Sequence, residues 1–152
     1  MARAQAPEGL LVATRWIGLI TGALTLLQWC FLLPSKDVSL KVGNDFIEDV
    51  NQPTWRGTLF SFVPEVFIDV WTPFVFGFIS LLCHFNFYPI TFNCKNFCVF
   101  FLWNLVQALF ANLGYSGGIG IIVGSVSLLA ALLSLICFIL NRDADASLHL
   151  GH

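Results

Sequence analysis

Charge is scarce in this chain: 152 residues carry seven Lys and Arg and nine Asp and Glu, 11% in all, for a formal net charge of −2. The basic residues stand one by one and never form a patch, which argues against a nucleic-acid partner. Histidine is rarer still, with His84 beside a break and His149 and His152 in a polar tail, so no metal-ligand spacing emerges and His84 is expected at the surface. Nucleophile-and-base pairs and Gly-rich phosphate loops are missing too. The sequence therefore predicts a protein that is not an enzyme, with no catalytic residues, no cofactor and no metal. No N-x-S/T sequon is present, so glycosylation does not mark a side of any membrane.

Paired cysteines are also lacking. Five occur, at Cys30, Cys83, Cys94, Cys98 and Cys137, and an odd number without repeated pairs does not look like a disulfide framework. Free cysteines acting as small hydrophobes are expected. Cys94 and Cys98, four apart, would share a helix face, which leaves a metal or redox reading open; Cys30, Cys83, Cys94 and Cys98 are candidates for palmitoylation if they face the cytosol.

Apolar residues are plentiful, at 57% of the chain, with a mean hydropathy of +0.81. That leaves too little polar surface to solvate a soluble fold of this size. The apolar residues fall into four runs, at about residues 9–33, 60–83, 92–113 and 117–140. Each offers the roughly 20 residues that a helix needs to cross a bilayer. The expected fold is all-α: a single polytopic membrane domain over 1–152, a four-transmembrane-helix bundle with a polar loop at 34–57 and a polar, mobile tail at 141–152. The first run lacks an A-x-A site after it and is too long for a signal-peptide core, so it reads as a retained helix, with signal anchor as the alternative. Within the loop, Val38, Leu40 and Val42 alternate with polar neighbours ahead of Gly43 and Asn44, as in a short surface strand or hairpin.

Small residues mark candidate packing faces. Gly18 and Gly22 are four apart in the first run, and Gly120 and Gly124 form a GxxxG in the last, where a second helix could approach closely. The least expected residues are Glu65 and Asp69, one helical turn apart. Carboxylates inside a membrane suggest a proton or cation pathway. Ser61 and Pro64 just before them equally suggest a helix start, with Glu65 at the interface. In the third run Asn104 and Gln107 are amides suited to bonding across to a neighbouring helix, and Arg15 can snorkel to the headgroups with Trp16 in the interfacial belt. The short connection around Gly114–Gly118 makes the third and fourth helices antiparallel neighbours. Arg3, Arg15, Lys95 and Arg142 on the side of the termini, against Lys36, Lys41 and Arg56 in the first loop, favour termini in the cytosol.

The order of these parts resembles a known family. A basic residue leads into a Gly-containing first helix (Arg15-Trp-Ile-Gly-Leu-Ile-Thr-Gly22). A second helix then ends before an aromatic-Pro turn, a third carries an aromatic face, and a Gly-rich fourth (Gly118-Ile-Gly-Ile-Ile-Val-Gly124) precedes a charged tail. The layout is similar to the COPI-associated family of small four-span Golgi membrane proteins, and more loosely to MARVEL-type bundles. The resemblance implies a non-enzymatic role in Golgi or endosomal membrane traffic. The partners it implies are membrane lipids and other membrane proteins, or self-association through the small-residue faces. A dilysine retrieval tail is absent. A structural accessory subunit of a respiratory, ATP-synthase or photosynthetic membrane complex, in the mitochondrial inner membrane or thylakoid, is the alternative.

Overall fold

A computed structural model describes residues 6–32, 64–86, 92–113 and 117–151. Among these the chain is helical, with α1 (Glu8–Leu32), α2 (Pro64–Leu82), α3 (Phe97–Gln107) continuing into a π-helical turn (Ala108–Asn112), and α4 (Gly117–Leu140). Consecutive helices alternate in direction, so the start of α1, the end of α2, the start of α3 and the end of α4 share one end of the molecule with the C-terminal tail. The surface strand expected at 38–42 lies outside the described residues.

Two helices, Glu8–Leu32 and Gly118–Leu140, are long and apolar enough to cross a membrane; the apolar stretches of the others, Ile68–Leu82 and Phe97–Asn112, are shorter. The third helix begins five residues later than its apolar run. Asn96 is the reason: with extended backbone it accepts from Val99 N at 2.9 Å, capping a helix that starts at Phe97 and leaving 92–96 as a turn. Cys94 and Cys98 consequently do not share a helix face, because Cys94 precedes the cap and Cys98 follows it. In α2, Pro73 is accommodated inside the helix, where it removes one backbone donor.

The inward faces of α1 and α4 are mostly polar or small. On α1 they are Thr14, Gly18, Thr21, Gly22, Thr25 and Gln28, followed by Leu32 at the end, at helical spacing; on α4 they include Gly124, Ser127, Ala130, Ala131, Ser134 and Cys137. Many large hydrophobics turn outward, with Ile20, Leu27, Phe78, Leu102, Phe110, Ile122 and Ile139 exposed, Phe110 and Ile139 by 62% and 60%, whereas Phe97 and Phe100 of α3 are buried. Inward hydroxyls are tolerated because each can bond the carbonyl four residues back, as Thr14, Thr21, Thr25, Ser127 and Ser134 do at 2.6–3.0 Å.

α1 and α2 make the closest crossing. A Cβ built on Gly77 would lie 2.9 Å from Leu26 N and 3.1 Å from Gly22 O, and one on Gly22 would lie 2.9 Å from Leu81 N. Glycine at both positions lets the two backbones touch. Beyond the crossing, Trp29 packs on Trp71 and Phe74, with centroids 6.4 and 4.6 Å away. α2 stops opposite Gly22, so α1 extends past it by about four turns, roughly 20 Å at 1.5 Å per residue. The turn after α2 and the C-terminal tail occupy the space beside that extension, around Cys83, Cys94, Phe97, Phe100, Cys137 and Ala146 with Leu10 and Leu11 against them.

Candidate functional site

Two groups of buried polar side chains stand out. The first ties all four helices together. Trp103 Nε1 donates to Ser80 Oγ, which donates to Gln107 Oε1, each at 2.5 Å. Gln107 Nε2 donates to Thr25 Oγ1 at 2.8 Å, and that hydroxyl shares its own proton between Thr21 O (2.9 Å) and Asn112 Oδ1 (3.1 Å). Asn112 Nδ2 then donates to Ser127 Oγ at 2.7 Å, and Gln28 Nε2 reaches Asn112 O at 3.2 Å. In an ideal α-helix, Gln107 and Asn112, five apart, would point about 140° from each other. The π turn winds five residues into one hydrogen-bonded ring, closed by Leu113 N on Ala108 O at 2.9 Å, and brings both amides to the same threonine.

The sequence-predicted positions divide around this network. Gln107 is within it, whereas the buried Asn104 donates to Phe100 O of its own helix at 2.8 Å. Gly22 meets the α2 backbone, Gly18 lies against the Phe100 ring, Gly124 lies against Leu113, and Gly120 is buried. Asp69 is on the exposed face of α2, and no Asp, Glu, Lys or Arg is buried among the described residues. The Glu65 side chain lies outside the described residues.

The second group closes the end that holds the termini. Cys83 and Cys94 are joined by a disulfide, their Cα atoms 6.1 Å apart, contrary to the free cysteines expected from sequence. The pairing brackets the aromatic-Pro turn, and that bracketing was its one sequence signal. His84, expected at the surface, is fully buried instead, its ring edge-on to Phe100. Its burial follows from the tail, which is packed down where the sequence predicts mobility. Leu150 N donates to His84 O (2.7 Å), Asn86 N to Leu150 O (2.9 Å) and Ala146 N to Cys94 O (3.1 Å). Ser147 Oγ donates to Cys83 O at 3.1 Å. Arg15, rather than reaching to headgroups alone, clamps the tail with Nε and Nη2 on Asp145 O at 3.0 and 2.6 Å.

His84 Nδ1 accepts from Leu148 N at 3.3 Å, which leaves the ring proton on Nε2, and Nε2 is buried without a partner. Burial pushes the imidazole pKa down from 6.5 to about 4; nearby Asp145 opposes this, while Arg15 and His149 add to it. The ring is neutral at pH 7. Asn93, next to Cys94, is buried with both amide atoms unpartnered. Ligand atoms of Cys83, His84 and Cys94 all lie within 4.8 Å of one another.

Comparison with protein-family models, with curated proteins and with solved structures finds no match to this chain.

Proposed function

We propose that the chain is a non-enzymatic, multi-pass membrane protein whose four helices all span the bilayer. It serves membrane traffic in the secretory pathway, at the Golgi or endosomes, through helix packing and interaction with other membrane proteins. The observation that carries the membrane part is the distribution of polarity: hydroxyls, amides and glycines make up much of the interior, beside the buried Phe97 and Phe100, while large hydrophobics such as Ile122, Ile139, Leu132 and Phe110 cover the outside. In water that outer surface would drive aggregation; in lipid it is the solvated face, and the interhelical hydrogen bonds and close glycine crossing supply the cohesion. The shorter α2 and α3 suit a bilayer locally completed by the turn and tail packed beside them. The traffic role is supported by the resemblance in layout described above and by the lack of catalytic machinery in the sequence.

The test is native gel migration of the tagged, full-length protein from mild detergent, with mass spectrometry of co-migrating proteins, after confirming that alkaline carbonate leaves it in the membrane pellet. A small band with secretory-pathway partners is the expected result. A band of hundreds of kilodaltons containing energy-transducing subunits would replace the traffic role with that of an accessory subunit, and release by carbonate would overturn the membrane reading itself.

A further inference from the structure

The pocket beneath the tail gathers two sulfurs and an imidazole in a space sealed from water, and it leaves the buried His84 Nε2 and the Asn93 amide unmet. Basic residues favour the cytosol for this end, with Arg3, Arg15, Lys95 and Arg142 on its side against three in the first loop; this step rests on the four-span reading above. In the cytosol, thiol systems keep such cysteine pairs reduced. A dithiol reductant that opens the Cys83–Cys94 bond gives up two electrons and two protons, becomes a disulfide itself, and leaves two thiols beside His84.

We propose that in this reduced state Cys83, His84 and Cys94 bind one zinc ion. Zinc displaces the two thiol protons to solvent, so two thiolates, one neutral imidazole and Zn²⁺ form a unit without net charge, the state a water-excluded pocket tolerates. Monovalent copper on the same ligands would leave a buried negative charge. Tetrahedral zinc with Zn–S near 2.3 Å and Zn–N near 2.0 Å places its ligand atoms about 3.5–3.8 Å apart. The three ligand atoms lie within 4.8 Å of one another, so after reduction the two sulfurs must part from bonding distance and the imidazole draw in, shifts on the order of 1 Å for each atom. The carbonyl oxygen of the buried Asn93, adjacent in sequence to Cys94, is a candidate fourth ligand.

Metal and tail compete for His84. Zinc on Nδ1 displaces the Leu148 amide directly; zinc on Nε2 moves the ring proton to Nδ1 and turns that acceptor into a donor facing another donor. In both arrangements the Leu148 hydrogen bond is lost, so occupancy of the pocket loosens the strap that covers it.

The experiment uses full-length protein in mild detergent, reduced with a phosphine, desalted under nitrogen and titrated with Zn²⁺ against a chromophoric chelator. Co²⁺ then serves as a spectroscopic substitute. One zinc per chain, a thiolate-to-cobalt charge-transfer band and faster amide exchange at Leu148 are expected. Affinity should fall at least 100-fold in the Cys83→Ser/Cys94→Ser variant and stay unchanged in Cys30→Ser. Should the double variant misfold, alkylation of the wild type decides, because zinc must protect Cys83 and Cys94 and leave Cys30 reactive. Absence of stoichiometric uptake, or uptake undiminished in a folded double variant, overturns the site. Recovery of the disulfide intact from acid-quenched cells overturns the zinc-bound state in the cell. Neither result depends on the traffic role, which the native gel tests separately.

Discussion

The middle of the bundle and the end that holds the termini bury polar groups to the same extent and treat them differently. In the middle, Trp103, Ser80, Gln107, Thr25, Asn112 and Ser127 pass hydrogen bonds from helix to helix. At the end, His84 and Asn93 are as deeply buried and leave Nε2, Nδ2 and Oδ1 without partners. The middle is made of groups that do not titrate and sit on helices; the end is made of thiols, an imidazole and irregular chain. A network handed on across four helices specifies one arrangement of them, while a pocket of unmet titratable and amide groups stores the capacity to change.

Replacing Gly77 by Leu should have the largest effect on this contrast, because the new side chain meets backbone atoms of α1 that cannot yield. A loss of about 3 kcal/mol or more is expected, read as a steep drop in the thermal midpoint in detergent and loss of the monodisperse peak. An intact peak would show that the α1–α2 crossing is not what holds the bundle.

Acid should separate the two regions without a mutation. The His84 pKa is about 4 in the folded protein against 6.5 unfolded, so the unfolded form binds the proton more tightly. The stabilisation is complete above pH 6.5 and disappears as pH falls towards 4, by about 3 kcal/mol at 1.36 kcal/mol per unit. Amides of Ala146, Leu148 and Leu150 should therefore exchange faster at pH 4.5 than at pH 7.5, after correction for intrinsic rates, while those of α1 and α4 hold. Equal protection of the tail at both values would contradict the burial of this ring.

Gln107→Leu addresses the middle alone. It removes the bonds to Ser80 and Thr25 at similar volume, and about 1–2 kcal/mol should be lost with the helix content unchanged. The smallest effect is expected from Asn86→Ala, whose exposed amide holds His149 O and Gly151 O at 3.1 Å. About 0.5 kcal/mol of local opening is at stake; limited proteolysis near residue 150 should quicken while the melting curve stays in place.

The sequence made the helices legible because each is a local apolar run, and only their ends moved: Asn96 delays α3, a capping signal that the run of aromatics around it obscures. The small-residue positions Gly22 and Gly124 could be picked out by spacing, but Gly77, between two phenylalanines, has no partner at the usual interval and escaped notice. The end cap was illegible for a different reason. His84 and Leu148 meet across 64 residues, and Arg15 and Asp145 across 130. Periodicity reports which face of a helix is apolar; it says nothing of which polar tail folds back to cover a turn.

The π turn at Ala108–Asn112 carries a consequence for how this chain can change length. With five residues between repeats, π winding sets Gln107 and Asn112 on one side; with one residue deleted, the two amides would stand four apart, about 40° round an ordinary α-helix. Either length presents an amide pair towards Thr25. A codon lost here is absorbed by a return to ordinary winding instead of rotating everything downstream, which makes this short segment the place where relatives of the chain should be one residue shorter while keeping the same interior chemistry.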